Sequence, residues 1–336
     1  MHGTKLNVRV YCSAARLMGV PRTRGRRPRS WCGCGVASQQ IGFPKPLIVW
    51  SAALPNRRQS MTDADCVAFL QWALPRLDMR WTGFRKVRGQ VCKRIRRRMA
   101  ELGLEGYAAY RQLLETDPDE WRVLDECCHI TISRFFRDRD VFERLRRSVL
   151  PDIARRAIRE NRPARIWSAG CASGEEPYTL KILWDLEAVP SLPGAAIMIV
   201  ATDIDRTMLE RAQIGCYHEH ILHDLPPHIA AQCFDRSGDH FCVRPQHRKD
   251  ITFLLQDLRV EMPSGLFDLV LNRYVAFTYF APSLQRLVLE KTLEHLHPQG
   301  YLVIGKHERL PEERPQLASI GSTGQIFQLS PATQSH

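Results

Sequence analysis

The residues best suited to chemistry gather around one short turn. Ala169-Gly170-Cys171-Ala172-Ser173-Gly174 follows the apolar run Ile166-Trp167-Ser168 and leads directly into Glu175 and Glu176. Small residues, Gly170 among them, let backbone come close to a ligand ahead of a helix N-terminus. Asp203 closes the next apolar run, where a single carboxylate can accept both hydroxyls of a ribose. A Gly-rich turn followed by an acid suits a nucleoside, and dinucleotide dehydrogenases share it. This turn, however, lacks the G-x-G-x-x-G spacing that holds a pyrophosphate. Its two consecutive acids would repel a pyrophosphate but suit a ligand carrying a cationic amine and a sulfonium. That chemistry points to S-adenosyl-L-methionine rather than NAD.

Such residues need a frame that brings strand ends together. After Pro163 the pattern alternates between short apolar runs and amphipathic stretches. Strands are expected at 166–168, 195–201, 251–255, 267–272, 300–305 and 325–329, with candidate strand residues Phe241-Cys242-Val243. Helices are expected at 175–187, 206–213 and 283–296. Ala195–Ala201 is continuously apolar, as a strand buried on both faces is. The alternation implies an α/β, doubly wound sheet, with room for an antiparallel final pairing. Ahead of it the pattern is helical. Val87, Val91, Ile95, Met99 and Leu102 recur every three or four residues, and Gly103 offers a stop. Further short helices are expected around Tyr107–Leu114 and Trp121–Cys128. A longer one from Phe142 to Arg159 is expected to be interrupted near Pro151. The expected organisation is therefore a tail over 1–60, a small all-helical domain over 61–150 and a cofactor-binding domain over 151–336.

Composition narrows the function classes. The 336 residues carry a net charge of +12, which would ordinarily suggest nucleic acid. Eleven Lys/Arg and no Asp or Glu fall in residues 1–60, so the remainder is almost neutral and a nucleic-acid partner is not expected. That basic stretch reads as a disordered tail, as upstream sequence translated from a misassigned start, or as a transit peptide. Met61, with a capping residue and acids behind it, looks like a natural beginning. No run of about 18 apolar residues exists, so no membrane insertion is expected. The eleven cysteines are scattered and lack zinc-ribbon spacing, so reduced thiols in the cytoplasm are expected and no metal site. The twelve histidines read as loop and surface residues.

The cofactor turn, taken with four other strings, resembles a known family. Ile166 through Tyr178 is similar to the signature of the CheR-type chemotaxis-receptor methyltransferases. Thr131-Ile132-Ser133-Arg134-Phe135-Phe136-Arg137-Asp138 resembles the family's Thr-x-Phe-Phe-Arg element. Ala201–Asp205, Phe267–Phe280 and Gly300–Glu308 resemble its later strand motifs, in the family's order. The resemblance spans about residues 62–330 and implies a class I methyltransferase fold behind a helical domain. It implies that S-adenosyl-L-methionine is held by Thr131, Ser133, Arg137, Gly170, Glu175, Glu176, Asp203, Asp257, Leu258, Arg273 and Tyr274. It further implies a protein-glutamate substrate, with Arg137 guiding the carboxylate and Tyr279 as a hydrogen-bonding partner. A glutamate is already ionised at neutral pH, so alignment matters more than a base. The basic helix 85–98, with Arg88, Lys93, Arg96 and Arg97, would face glutamate-rich helices of a chemoreceptor-like protein, the enzyme acting as a monomer. Three departures stand out. Tyr274 replaces the family's usual Asn, the segment 275–280 is one residue longer, and region 218–250 is short and polar. These keep open a small-molecule methyltransferase of the same fold, or a non-catalytic cofactor-binding signalling module.

Overall fold

The computed structural model describes residues 62–321 and 324–330, so the expectations for residues 1–60 and for Met61 lie outside the described residues. The chain enters through helix α1 (Asp63–Ala73). Thr62 Oγ1 accepts from the Asp65 N–H, and the Asp65 carboxylate accepts from the Thr62 N–H, forming a capping box. Helices α2 (Trp81–Phe84), α3 (Arg88–Glu101), α4 (Tyr107–Thr116) and α5 (Pro118–Cys128) complete a helical layer. Helix α3 buries Val91, Ile95 and Met99, as their spacing requires, in one core with Phe69, Leu70, Tyr110 and Leu124. Inside it, the buried Glu120 accepts two bonds from Arg98 and one from the Tyr110 hydroxyl. Helix α3 starts at Arg88, so Arg85 and Lys86 of the basic run 85–98 lie in the preceding turn. The cause is Phe84, which is buried, and its carbonyl, which accepts the Val87 N–H and closes that turn.

The expected interruption near Pro151 takes the form of a π turn just ahead of the proline, with no loss of helical course. Helix α6 (Arg139–Arg144) continues through a π turn, Leu145–Val149, into α7 (Leu150–Arg159). The wider turn just ahead of the proline accommodates its ring and its missing N–H. The device recurs before Pro190, where α8 (Glu175–Leu183) passes through the π turn Trp184–Ala188 into α9 (Val189–Ser191).

The remaining elements are β1 (Ala164–Ala169), β2 (Ile197–Asp203), α10 (Arg206–Ile214), β3 (Cys216–His218), α11 (Pro227–Cys233), β4 (Phe234–Ser237) and β5 (His240–Val243). They continue with β6 (Ile251–Leu255), β7 (Phe267–Asn272), α12 (Ala276–Tyr279), α13 (Pro282–Glu294), β8 (Leu296–Val303), β9 (Leu317–Ser319) and β10 (Ile326–Leu329). The main sheet runs β6-β2-β1-β7-β8-β10-β9. Pairings from β6 to β8 are parallel, and β10 is antiparallel to both β8 and β9. This is the expected doubly wound α/β sheet with a helical layer before it. Every residue of β7 is buried, as in a central parallel strand covered on both faces. Strand β9 escaped the sequence reading because three residues at a sheet edge carry no period.

Region 218–250 contributes to a second, antiparallel sheet in the order β3-β5-β4. Here the reading of the cysteines needs correction. Cys216 and Cys242 face each other across β3 and β5 and form a disulfide, and a second disulfide joins Cys66 of α1 to Cys92 of α3. Each pair is 26 residues apart in sequence, and only strand register and helix packing bring the thiols together. Among the described residues, no helix is long and apolar enough to cross a membrane.

Candidate functional site

Strand β1 lies between β2 and β7, so the chain reverses direction across the sheet at the carboxyl end of β1. An open α/β sheet offers a crevice at such a point. The turn after β1 enters it under tight constraint. Gly170 takes φ 74°, and a Cβ there would stand 2.2 Å from the Val275 side chain. The helical layer closes the crevice from the other side. Arg80 donates to the carbonyls of Thr278 and Phe277, and its N–H bonds the Tyr279 carbonyl at 2.8 Å. The Phe84 ring packs on Tyr279 at 5.0 Å between centroids. Tyr279 is thus set by both layers at once.

The result is a cleft with an adjoining compartment, the two sharing Ile130, Gly170, Tyr274 and Val275 in their walls. Of the residues singled out from sequence, Thr131, Gly170, Asp203, Asp257, Leu258, Tyr274 and Tyr279 line the cleft. Ser133, Arg137, Glu176 and Arg273 line the compartment, with Gly170 and Tyr274 bordering both. Glu175 lies just beneath, 2% exposed.

Several of these side chains are already engaged with one another. Arg273 is buried and donates to Glu176 Oε2 (2.7 Å), the Arg137 carbonyl (2.6 Å) and Asp138 Oδ2 (2.8 Å). It is therefore a strut tying the 137–138 turn to the first turn of α8. Glu176 accepts from Ser168 through its other oxygen. Glu175 accepts from Ser173 Oγ, while its Oε2 is buried without a partner among the described residues. Asp203 accepts the N–H groups of Ala172 and Asp205. Burial pushes both the Glu175 and the Asp203 carboxyls upward, against the pull of those hydrogen bonds. Burial likewise pushes the Tyr279 hydroxyl up to about 12, with the nearby Arg137 charge opposing it.

Asp257 is less free than its sequence position implied. Arg259 donates to both of its oxygens at 3.0 Å and reaches on to Asp125 of α5 with two further bonds, 2.9 and 2.6 Å. Asp125 also meets His129 at 3.4 Å. This chain of ion pairs fastens the helical layer to the rim of the cleft. Beside it, Gln256 lines the cleft with a buried Oε1 that has no partner among the described residues. The sequence reading passed over Gln256, Arg259 and Asp125. Gln256 carried a weak signal, an amide directly before the pair Asp257-Leu258. The Asp125–Arg259 pair carried none, because 134 residues separate its members.

The unpartnered buried acceptor of Gln256 on the cleft wall, with the carboxylate of Asp203 beside it, calls for a ligand rich in N–H and O–H donors. The ammonium, adenine amine and ribose hydroxyls of S-adenosyl-L-methionine are such donors, so the residues present fit that group.

Comparison with known proteins agrees. The family model described as "CheR methyltransferase, SAM binding domain" matches residues 131–326, and that described as "CheR methyltransferase, all-alpha domain" matches residues 86–125. A "Probable chemotaxis protein methyltransferase" of Rhizobium etli is 32% identical over 230 residues, covering 66% of this chain and 85% of the relative. "Chemotaxis protein methyltransferase 2" of Pseudomonas aeruginosa is 29% identical over 239 residues, covering 69% of this chain and 82% of the relative. An "Uncharacterized 104.1 kDa protein in hypE 3'region" of Rhodobacter capsulatus is 32% identical over 241 residues, 71% of this chain. The chain spans only 25% of the length of that relative.

Proposed function

Because the chain belongs to the CheR methyltransferase family, we propose that it methylates glutamate carboxylates of a chemoreceptor-like protein, using S-adenosyl-L-methionine and forming methyl esters. When bound, S-adenosyl-L-methionine would supply an electrophilic methyl group to a carboxylate oxygen, with sulfur as the leaving atom keeping the electron pair. On this reading Asp203 holds the ribose, Gln256 and the Asp257-Leu258 backbone meet the adenine, and Glu175 with Glu176 faces the ammonium. Thr131 and Ser133 border the reaction centre, and Tyr274 and Arg273 shape its wall.

The observation that carries the reading is the placement of Arg137. It lines the compartment beside the cleft, its guanidinium carbon 3.8 Å from the centroid of the Tyr274 ring that borders both, with Tyr279 on the wall of the cleft. A cation there selects an anionic nucleophile, and a carboxylate needs no base to attack. Arg137 aligns that carboxylate, and the neutral Tyr279 hydroxyl can donate to it. His129 at the cleft meets Asp125 at 3.4 Å, and methylation of an ionised carboxylate does not call on it as a base.

The helical layer is assigned to the partner. On α3, Lys93 and Arg97 are exposed, while Arg88 pairs with Asp63 at the surface. Exposed charges of this kind steer a glutamate-rich helix more than they hold it. The enzyme is taken to act as a cytoplasmic monomer, with the helices through α5 serving the partner and the residues from about 131 onward the cofactor and the reaction centre.

The test uses the full chain, methyl-labelled S-adenosyl-L-methionine and membranes of the source organism, reading base-labile methanol from the protein fraction. Label that appears with the wild type and is lost with Arg137→Ala supports the reading. Cofactor binding without any protein ester refutes it and shifts the assignment to a small carboxylic acid, the reading that Tyr274 in place of the usual Asn would favour.

A further inference from the structure

Residue 274 is where this chain departs from the family's usual pattern, and its surroundings give the departure a purpose. The geometry points to Tyr274 as the positioning residue for Arg137, a platform that fixes the guanidinium plane while leaving its donors free for a substrate carboxylate. The inference rests on the proposed carboxylate chemistry and adds a residue to it.

The guanidinium carbon of Arg137 sits 3.8 Å from the centroid of the Tyr274 ring. A stacked arginine engages the ring through its face, so its in-plane N–H edge stays available. One of its five donors is spent, on the Ile132 carbonyl at 2.7 Å, and the others remain for a carboxylate. An unstacked arginine of this length would sample many rotamers, and alignment of the nucleophile would be lost with them.

Tyr274 also deals with a rival. Asp138 follows Arg137 directly and is the nearest natural partner for its charge. Its Oδ2 instead accepts from the Tyr274 hydroxyl at 2.5 Å and from Arg273 at 2.8 Å. The Asp138 carboxylate is thereby drawn to the far end of the Tyr274 ring. The Tyr274 hydroxyl also accepts the Lys306 N–H at 3.1 Å, so the ring is pinned at its tip. Burial, then the bond to Asp138, pushes the hydroxyl up to about 12, and it remains a donor at neutral pH.

The fold makes room for this ring at some cost. Tyr274 adopts φ 60°, a left-handed conformation unusual for a bulky residue. Residue 305 is glycine where a Cβ would lie 2.7 Å from Tyr274 Cε1. Glu308 holds the backbone N–H groups of both Tyr274 and Gly305, fixing the bend from beneath. An asparagine at 274 would have neither a π face for Arg137 nor the reach to Asp138.

The experiment combines an activity-independent readout with kinetics. In full-length protein labelled with [15N]arginine, the Arg137 Nε–H resonance is identified by its loss in Arg137→Lys. It is expected upfield, shielded by the ring, in the wild type and in Tyr274→Phe, and at an ordinary position in Tyr274→Leu. In the membrane methylation assay, Tyr274→Leu is expected to lose about 30-fold or more in kcat, the scale of a lost alignment, and Tyr274→Phe, which keeps the ring but releases Asp138, a smaller part of that loss. Affinity for S-adenosylhomocysteine, measured by calorimetry, is expected to fall by a clearly smaller factor than kcat in Tyr274→Leu, because the ring's larger effect is on alignment of the nucleophile. An unshifted wild-type resonance overturns the proposal, as does a Tyr274→Leu protein whose cofactor affinity falls as much as its turnover. If Tyr274→Leu does not fold, the wild-type and Tyr274→Phe resonances decide. If the wild type forms no protein ester, the esterification reading fails, while the resonance still reports whether Tyr274 holds Arg137.

Discussion

Replacing Asp125 by Asn tests whether the helical layer is fastened to the cofactor cleft by the pair it forms with Arg259. Both side chains are largely shielded, 14% and 20% exposed, and they meet through two parallel bonds. Burial works against the Asp125 charge, but the bonds from His129 and Arg259 outweigh it and hold the carboxyl at about 2, against an ordinary 3.8. That difference corresponds to about 2.5 kcal/mol of folding stability near neutral pH. The sign follows from the depressed value. The contribution is complete well above 3.8, where folded and unfolded chains are both ionised. It fades as pH falls from 3.8 toward 2, because the unfolded carboxylate takes up a proton first. Near pH 3 about half, or ~1.3 kcal/mol, is left. For a chain of this size, Asp125→Asn should lower Tm by about 5 °C at pH 7, with the gap to wild type narrowing by about half near pH 3. Differential scanning calorimetry across that range supplies the comparison. A gap below about 1 °C at pH 7, too small for a shielded pair, or one that does not change with pH, would refute the reasoning.

Other expectations follow from single contacts. Asp203→Ala should weaken S-adenosylhomocysteine binding by about 100-fold in calorimetry, since a charge-assisted pair of bonds to the ribose is lost; unchanged affinity would remove Asp203 from the site. Gln256→Met should leave Tm within about 1 °C and weaken the same binding by about tenfold, the value of one hydrogen bond to an otherwise unpartnered buried acceptor. Equal affinity in wild type and variant would show that Gln256 does not meet the ligand. Gly305→Ala should cost about 1–3 kcal/mol and depress methyl transfer, because the added carbon would strike Tyr274 and Glu308 within 2.8 Å. Thermal unfolding together with the methylation assay checks both halves.

Much of the molecule was legible because local physics sets it. The 3–4 spacing from Val91 to Met99 requires a helix buried on one side, the Thr62–Asp65 box requires its neighbour to start there, and the alternation after Pro163 requires a parallel sheet. Strand ends then placed Gly170 and Asp203 together in the crevice without knowledge of any contact. The interruption near Pro151 was legible at the same local level but its form was not, because a π turn is a third response to proline that spacing does not reveal.

What the tertiary structure decided is every relation between residues far apart in the chain. Cys66 with Cys92, Cys216 with Cys242, Asp125 with Arg259 and Arg137 with Tyr274 become partners only once helices pack and strands take register. The engagement of Asp257 by Arg259 and of Glu176 by Arg273 belongs to the same class. Residue type and spacing determine which groups are available near a strand end. Which of them keeps a free donor or acceptor depends on competition among all charges brought within a few ångströms, and that competition exists only in the folded chain.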